Sequence, residues 1–187
     1  MNYFQRLIGH FKTITKHRIL VRHMCFKAGL YKQGLVHDLS KYSYNEFHYG
    51  VKYYQGFRSP IAREKELNNG KSIAWMHHTK NNKHHWEYWS YVFNPKFKEV
   101  YDLPLNYLLE SCIDRISACK VYQKEKYTDA SPYNFHLNSK ESHLMNENNM
   151  NRLFTLLGYL KDNGEEKALQ YYKALYKKYK KDKSFNI

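Results

Sequence analysis

The sequence predicts an all-α, single-domain helical bundle of five to seven helices, and three observations carry that expectation. Apolar residues recur at three- and four-residue intervals in nearly every segment, the spacing of one helical face. No stretch alternates convincingly with the two-residue period of a half-buried strand, and nothing repeats internally. Gly, Pro and Asn fall between the periodic runs, where helices stop and start. At 187 residues the chain can bury a core without covalent staples, so 1–187 reads as one domain. Within it, residues 20–122 form the chemically distinctive core and 139–187 a helical extension.

Phe4, Leu7, Ile8, Phe11 and Ile14 open the first helix, whose pattern continues through Leu20 to Phe26 and stops near Gly29. A short helix through Leu35 and Val36 ends at His37 and Asp38. Ser43 and Glu46 have the spacing of a capping box for a helix carrying Phe47, Val51 and Tyr54. GFRSP is a turn, with Pro60 suited to the first turn of the next helix. Asn68, Asn69 and Gly70 weaken that helix before it resumes through Ile73 and Trp75. Residues 81–103 lose the pattern and read as an irregular loop rich in Trp86, Trp89 and Tyr91. After Pro104, Leu105, Leu108, Leu109, Cys112, Ile116 and Cys119 form one continuous stripe. A polar loop around 129–132 precedes two amphipathic helices, at roughly 142–161 and 165–181.

Composition narrows the function classes. No run approaches the ~18 apolar residues of a membrane span, and MNYFQRLIGHFKTITKH lacks a signal-peptide core, so a cytoplasmic protein is expected. Cys25, Cys112 and Cys119 are odd in number and lie in apolar helical patterns, as reduced core thiols do. The 19 tyrosines pair packing rings with polar tips, which suits a small bundle around a wet cleft. The net charge of +14 favours anionic partners. From Lys161 onward, eight lysines against four acids give +4, a solvated helix face, and the remaining +10 is spread without a dense basic stripe.

The chemistry lies in an ordered set of imidazoles and carboxylates: His23, His37-Asp38, His77, His78, His84, His85 and Asp114. Nitrogen and oxygen donors in such number suit one or two divalent metal ions, without choosing among Fe, Mn, Zn, Ni and Mg. Adjacent His37 and Asp38 at a helix end can reach one point, the imidazole as a neutral ligand and the carboxylate as charge and bridge. His23 lies 14 residues before His37 on the preceding helix, so a helical hairpin can bring the two together, and the short gap makes His17 the alternative ligand. Asp114 comes from a distant helix. Stepping at 100° puts it opposite the Leu105–Ile116 stripe, on a face with Tyr107, Ala118 and Val121, so its use requires a helix buried on two sides.

This H…HD…D order resembles the HD-domain superfamily of metal-dependent phosphohydrolases, and HDLSK is similar to its HDxGK variant, with Ser40 where many members carry glycine. The intervening histidines resemble the H…HD…H…H…D arrangement of two-metal members. More narrowly, RHMCFKAGL, LVHDLSKYSYNEF, AWMHHTKNNKHHWEYW and YLLESCIDR resemble a small bacterial and phage family of unknown function, over about residues 20–122. The resemblance implies a primary metal site of His23, His37, Asp38 and Asp114, with Asp38 bridging. One member of each pair, His77/His78 and His84/His85, would bind a second ion. It also implies that Lys41 directs a cation to a substrate phosphate, that Lys41 and Asp38 are the catalytic candidates, and that Glu46 and Glu110 are accessory groups. Glu110 sits one helical turn before Asp114.

The leading expectation is hydrolysis of a small phosphorylated molecule or nucleotide by a metal-activated water. A second is an HD-fold di-iron oxygenase using the same ligands. A third is a nucleic-acid-binding protein in which Trp86, Tyr88 and Trp89 beside Lys83 stack bases. His10, His48, His136 and His143 receive no role, and the oligomeric state is left open.

Overall fold

The computed structural model describes residues 1–94, 97–139 and 144–187, with the backbone alone for 92–94, 97 and 98. Among these the protein is all-α apart from one small hairpin. α1 (Tyr3–Lys27) starts from a capping box in which Asn2 and Gln5 exchange side-chain-to-backbone hydrogen bonds. Its buried stripe is His10, Ile14, His17, Val21, Met24 and Cys25. The chain reverses at Gly29, whose φ of 77° favours glycine, and α2 (Tyr31–Val36) packs back on α1. A 3-10 turn (Leu39–Tyr42) leads into α3 (Tyr44–Tyr53), followed by α4 (Pro60–Leu67) and α5 (Ile73–Asn81). β1 (Ser90–Asn94) and β2 (Phe97–Val100) pair antiparallel, with Ser90 opposite Val100 and an irregularity between Val92 and Asn94. α6 (Leu105–Gln123), α7 (Ser131–Leu137), α8 (Glu147–Asn163) and α9 (Glu165–Lys181) complete the chain.

Nine α-helices are therefore present among the described residues, more than the pattern predicts, for two local reasons. Asn69 and Gly70 both have positive φ and break the expected single helix into α4 and α5. α7 forms where a polar loop is expected, started by Pro132 in its first turn and held by buried Pro132 and His136. The expected irregular 81–103 segment instead contains a 3-10 turn (Trp86–Trp89) and the hairpin. The helix expected from about 142 begins at Glu147; its expected first residues, and His143, lie outside the described residues.

α6 is the central element. Leu105, Leu108, Leu109, Cys112, Ile113 and Ile116 are at most 1% exposed and pack with Leu153, Leu156, Leu157 and Leu160 of α8 and Leu169 and Tyr172 of α9. Tyr172 is fully buried, and its hydroxyl donates to the Leu156 carbonyl at 2.8 Å. The three cysteines are free and buried, and burial pushes Cys25 and Cys112 up to about 12, so they remain neutral core groups. The lysines of α9 project outward around its buried Ala168, Leu169, Tyr172 and Leu175. No helix among the described residues is long and apolar enough to cross a membrane.

Candidate metal centre

The opposite face of α6, turned to α1 and α2, buries polar groups. Asp38 lies at the centre, fully buried. α2 ends at His37, and Asp38 follows with φ 52°, ψ 27°, a left-handed conformation that costs a non-glycine residue on the order of 1 kcal/mol or more. This sharp turn places consecutive side chains inside one cluster. Asp38 Oδ2 lies 3.5 Å from His17 Nε2 and 3.4 Å from His37 Nε2. Its Oδ1 lies 3.4 Å from His78 Nε2 and 3.5 Å from His84 Nε2. Asp114 Oδ1 closes the first group, 2.9 Å from His17 Nε2 and 3.3 Å from His37 Nε2. His85 joins the second, its Nε2 2.9 Å from that of His78.

Carboxylates behind the rings fix their tautomers. His37 Nδ1 donates to Glu110 Oε1 at 2.8 Å, and His84 Nδ1 lies 3.2 Å from the same oxygen. His78 Nδ1 and His77 Nδ1 donate to the two oxygens of Glu46, each at 2.8 Å. With Nδ1 protonated, a neutral imidazole turns an Nε2 lone pair toward Asp38. Lone pairs converging on carboxylate oxygens repel unless a cation or proton lies between them. Donor atoms ~2.1 Å from a shared ion stand roughly 3.0–3.4 Å apart, close to the spacings found here. Asp38 Oδ2 is paired with the Lys41 ammonium, whereas Asp38 Oδ1 and the buried Nε2 of His84 have no hydrogen-bond partner among the described residues, so those two atoms are oriented without being satisfied.

Charge points the same way. Burial disfavours an ionised Asp38, yet His37 and Lys41 hold its pKa well below the carboxylate range. Burial likewise opposes a charged His37, but Asp38, Asp114 and Glu110 raise its pKa well above the usual value. His78 and His85 are lowered, chiefly by burial. Asp38, Asp114, Glu46 and Glu110 against Lys41 leave two negative charges with His37 protonated and three once it is a neutral ligand, a balance that divalent cations redress. Two sets, His17/His37/Asp38/Asp114 and Asp38/His78/His84/His85, are able to hold a metal ion, and Asp38 belongs to both. The set His37/His84/Glu110 is the hydrogen-bonded back of the same site.

The structure brings together His37, Asp38, His78, His84, His85 and Asp114, with Glu46 and Glu110 behind them. His23 is not among them. It lies on the exposed side of α1, because the buried stripe runs through positions 10, 14, 17 and 21, and His17 takes the place expected of His23. His77 belongs to neither set and is held by Glu46. Both His84 and His85 enter one set, where one of the pair is expected. Lys41 Nζ lies 2.6 Å from Asp38 Oδ2, so its first partner is the cluster itself, although it also lines the adjoining cleft. Glu46 does not complete a capping box: Ser43 caps α3 without a side-chain bond, and Glu46 turns to the histidines. Asn82, unforeseen, donates to Ser40 Oγ at 2.7 Å and to the His78 carbonyl at 2.8 Å, tying HDLSK to the end of α5.

Beside the cluster lies a cleft of about 540 Å³, within the size range of small-molecule sites. His17, Lys41, His78, His85 and Asp114 border it, and Phe57, Ile61, Trp75, Trp86 and Phe135 supply apolar wall. Trp75 stacks on His78 and meets His85 edge-on, so the wall is continuous with the ligands. Trp86 is largely buried where the cleft meets the core, and half-buried Trp89 donates from its indole to the Lys83 carbonyl.

Fold and site together define a helical protein with two histidine–carboxylate clusters sharing one aspartate, able to hold metal. The chain belongs to the family described as "Family of unknown function (DUF5662)", whose model matches residues 6–158. The match includes every residue of both clusters and extends into α8. No curated protein and no solved structure matches the chain.

Proposed function

We propose that the protein is a metal-dependent phosphohydrolase with a dinuclear centre, acting on a small phosphorylated or nucleotide substrate. The observation that carries this reading is Asp38, buried and facing a different group of imidazole nitrogens from each oxygen, with Oδ2 on the Lys41 ammonium and Oδ1 without a hydrogen bond among the described residues. His17, His37 and Asp114 with Asp38 would hold one ion, and His78, His84 and His85 with Asp38 the other. Bound divalent ions supply Lewis acidity and lower the pKa of a coordinated water toward ~7.

The chain's own groups have separable tasks. Glu110 and Glu46 keep the Nδ1 protons in place and so orient the Nε2 donors, as carboxylates behind metal-bound histidines do. Lys41 stays an ammonium, because Asp38 and Asp114 outweigh the effect of burial. It borders the cleft beside the cluster and can meet a phosphate oxygen entering there, stabilising charge that grows in the transition state. The aromatic walls exclude water around the substrate body.

The test is phosphate release from a panel of phosphomonoesters and nucleotides by protein reconstituted separately with Mn, Fe, Zn, Ni and Mg. Release with at least one metal, reduced about a thousandfold or more in Asp38→Asn, is expected. Absence of release with every metal would overturn the reading, and oxygen consumption by the iron form would replace it with the oxygenase.

A further inference from the structure

Arg115 follows Asp114 on α6, about 100° around the helix, and both residues border the cleft. One guanidinium nitrogen of Arg115 donates to the carbonyl (3.1 Å) and hydroxyl (2.5 Å) of Ser111. That anchors the side chain without neutralising it, since no carboxylate among the described residues pairs with it. Across the same cleft wall stands His136 of α7, only 3% exposed, its ring tilted against Phe154 at 4.7 Å. Its Nε2 is buried and has no hydrogen-bond partner among the described residues. A half-buried cation without an acid and an imidazole nitrogen without a partner are each costly alone. Both border one cleft, close enough for the Arg115 charge to act on the His136 ring, and together they are a complementary pair for an anion.

We propose that Arg115 and His136 form an anion-binding subsite on the α7 side of the cleft, taking a carboxylate or phosphate group. Joined to the reading above, on which this extension rests, the substrate has one phosphate at the histidine–carboxylate cluster, an apolar or aromatic body against Trp75 and Trp86, and a second anionic group at Arg115. Burial and the nearby Arg115 charge hold His136 down to about 4, so near neutral pH the imidazole adds hydrogen bonding without adding charge. Arg115 supplies the charge and, with its fork of donors, the geometry. Neither residue belongs to the metal-holding sets.

The test is a titration of metal-free protein with inorganic phosphate at pH 7.5, following the His136 imidazole by ¹⁵N-edited NMR. A saturable shift at His136 is expected in the wild type and in Asp38→Asn, which disables the cluster but not this subsite. Arg115→Gln should weaken phosphate binding at least tenfold, whereas Arg115→Lys, keeping the charge, should stay within a few-fold of wild type. No saturable shift in the wild type, or equal affinity in a folded Arg115→Gln, would overturn the subsite. Loss of the Arg115→Lys response would overturn the role given to charge. Because the titration uses no metal and no turnover, it can succeed where the phosphohydrolase reading fails, and the reverse.

Discussion

The face of α6 turned to α8 and α9 and the face turned to α1 and α2 are both buried, yet their chemistry is opposite. On the first, Leu109, Cys112, Ile113 and Ile116 meet leucines, and the deepest hydroxyl, on Tyr172, has a carbonyl to bond. On the second, Glu110 and Asp114 meet histidines and Asp38, and among the described residues Asp38 Oδ1 and His84 Nε2 stay without hydrogen bonds. A core built for stability satisfies its polar groups. The second interior holds them in register for something else, at the cost of a left-handed Asp38 and several buried charges. The difference teaches that one helix serves as the stable wall against which a polar cluster able to hold metal is aligned.

If that division holds, the two faces respond differently to metal. Leu156→Ala should destabilise the protein by about 2–5 kcal/mol, by the same amount with and without metal, in denaturant melts. Metal at a hundredfold over its Kd should stabilise the wild type by about 2.7 kcal/mol, and that increment should vanish in Asp38→Asn. A metal increment surviving in Asp38→Asn would break the comparison.

Smaller effects sharpen the edge of the polar region at His10. Burial, aided by Lys41, lowers its pKa from 6.5 to about 4. The unfolded chain therefore takes up this proton at a higher pH than the folded one, and stability declines as pH falls from 6.5 toward 4. By pH 5 the loss from His10 is about 2 kcal/mol, and His136 acts in the same direction. His10→Leu should flatten this acid limb without abolishing it, as read from unfolding free energies between pH 7 and 5. Gly50 packs against the same ring, and an added Cβ would stand 2.1 Å from His10 Nε2. Gly50→Ala should cost a net ~1 kcal/mol, overpacking exceeding the gain in helix propensity. A stabilised Gly50→Ala would show that the ring yields.

Much of this was legible in the residues. The apolar stripe of α6, the Gly29 stop and the helix-end position of His37-Asp38 follow from periodicity and local stereochemistry. The choice between His17 and His23 was legible too, because stepping at 100° along Ile14, Val21 and Met24 selects His17, but the motif string drew attention to the wrong histidine. Glu46 was legible only in part: the resemblance makes it an accessory group, but its spacing from Ser43 fits a capping box equally well, and only the packing of α3 against α5 sends it to His77 and His78. The burial of Asp114 depends on α1 and α2 covering a second face of α6, which no single-helix pattern reports. α7 and the hairpin are too short for periodicity to resolve.

The central claim is that histidines and aspartates around Asp38 hold metal, and elemental analysis of the purified protein tests it most directly. Wild type and His23→Ala should carry one to two equivalents of a transition metal, while His17→Ala and Asp38→Asn carry substantially less. Metal-free wild-type protein that takes up no ion on reconstitution, or His17→Ala and Asp38→Asn proteins as fully loaded as wild type, would contradict it.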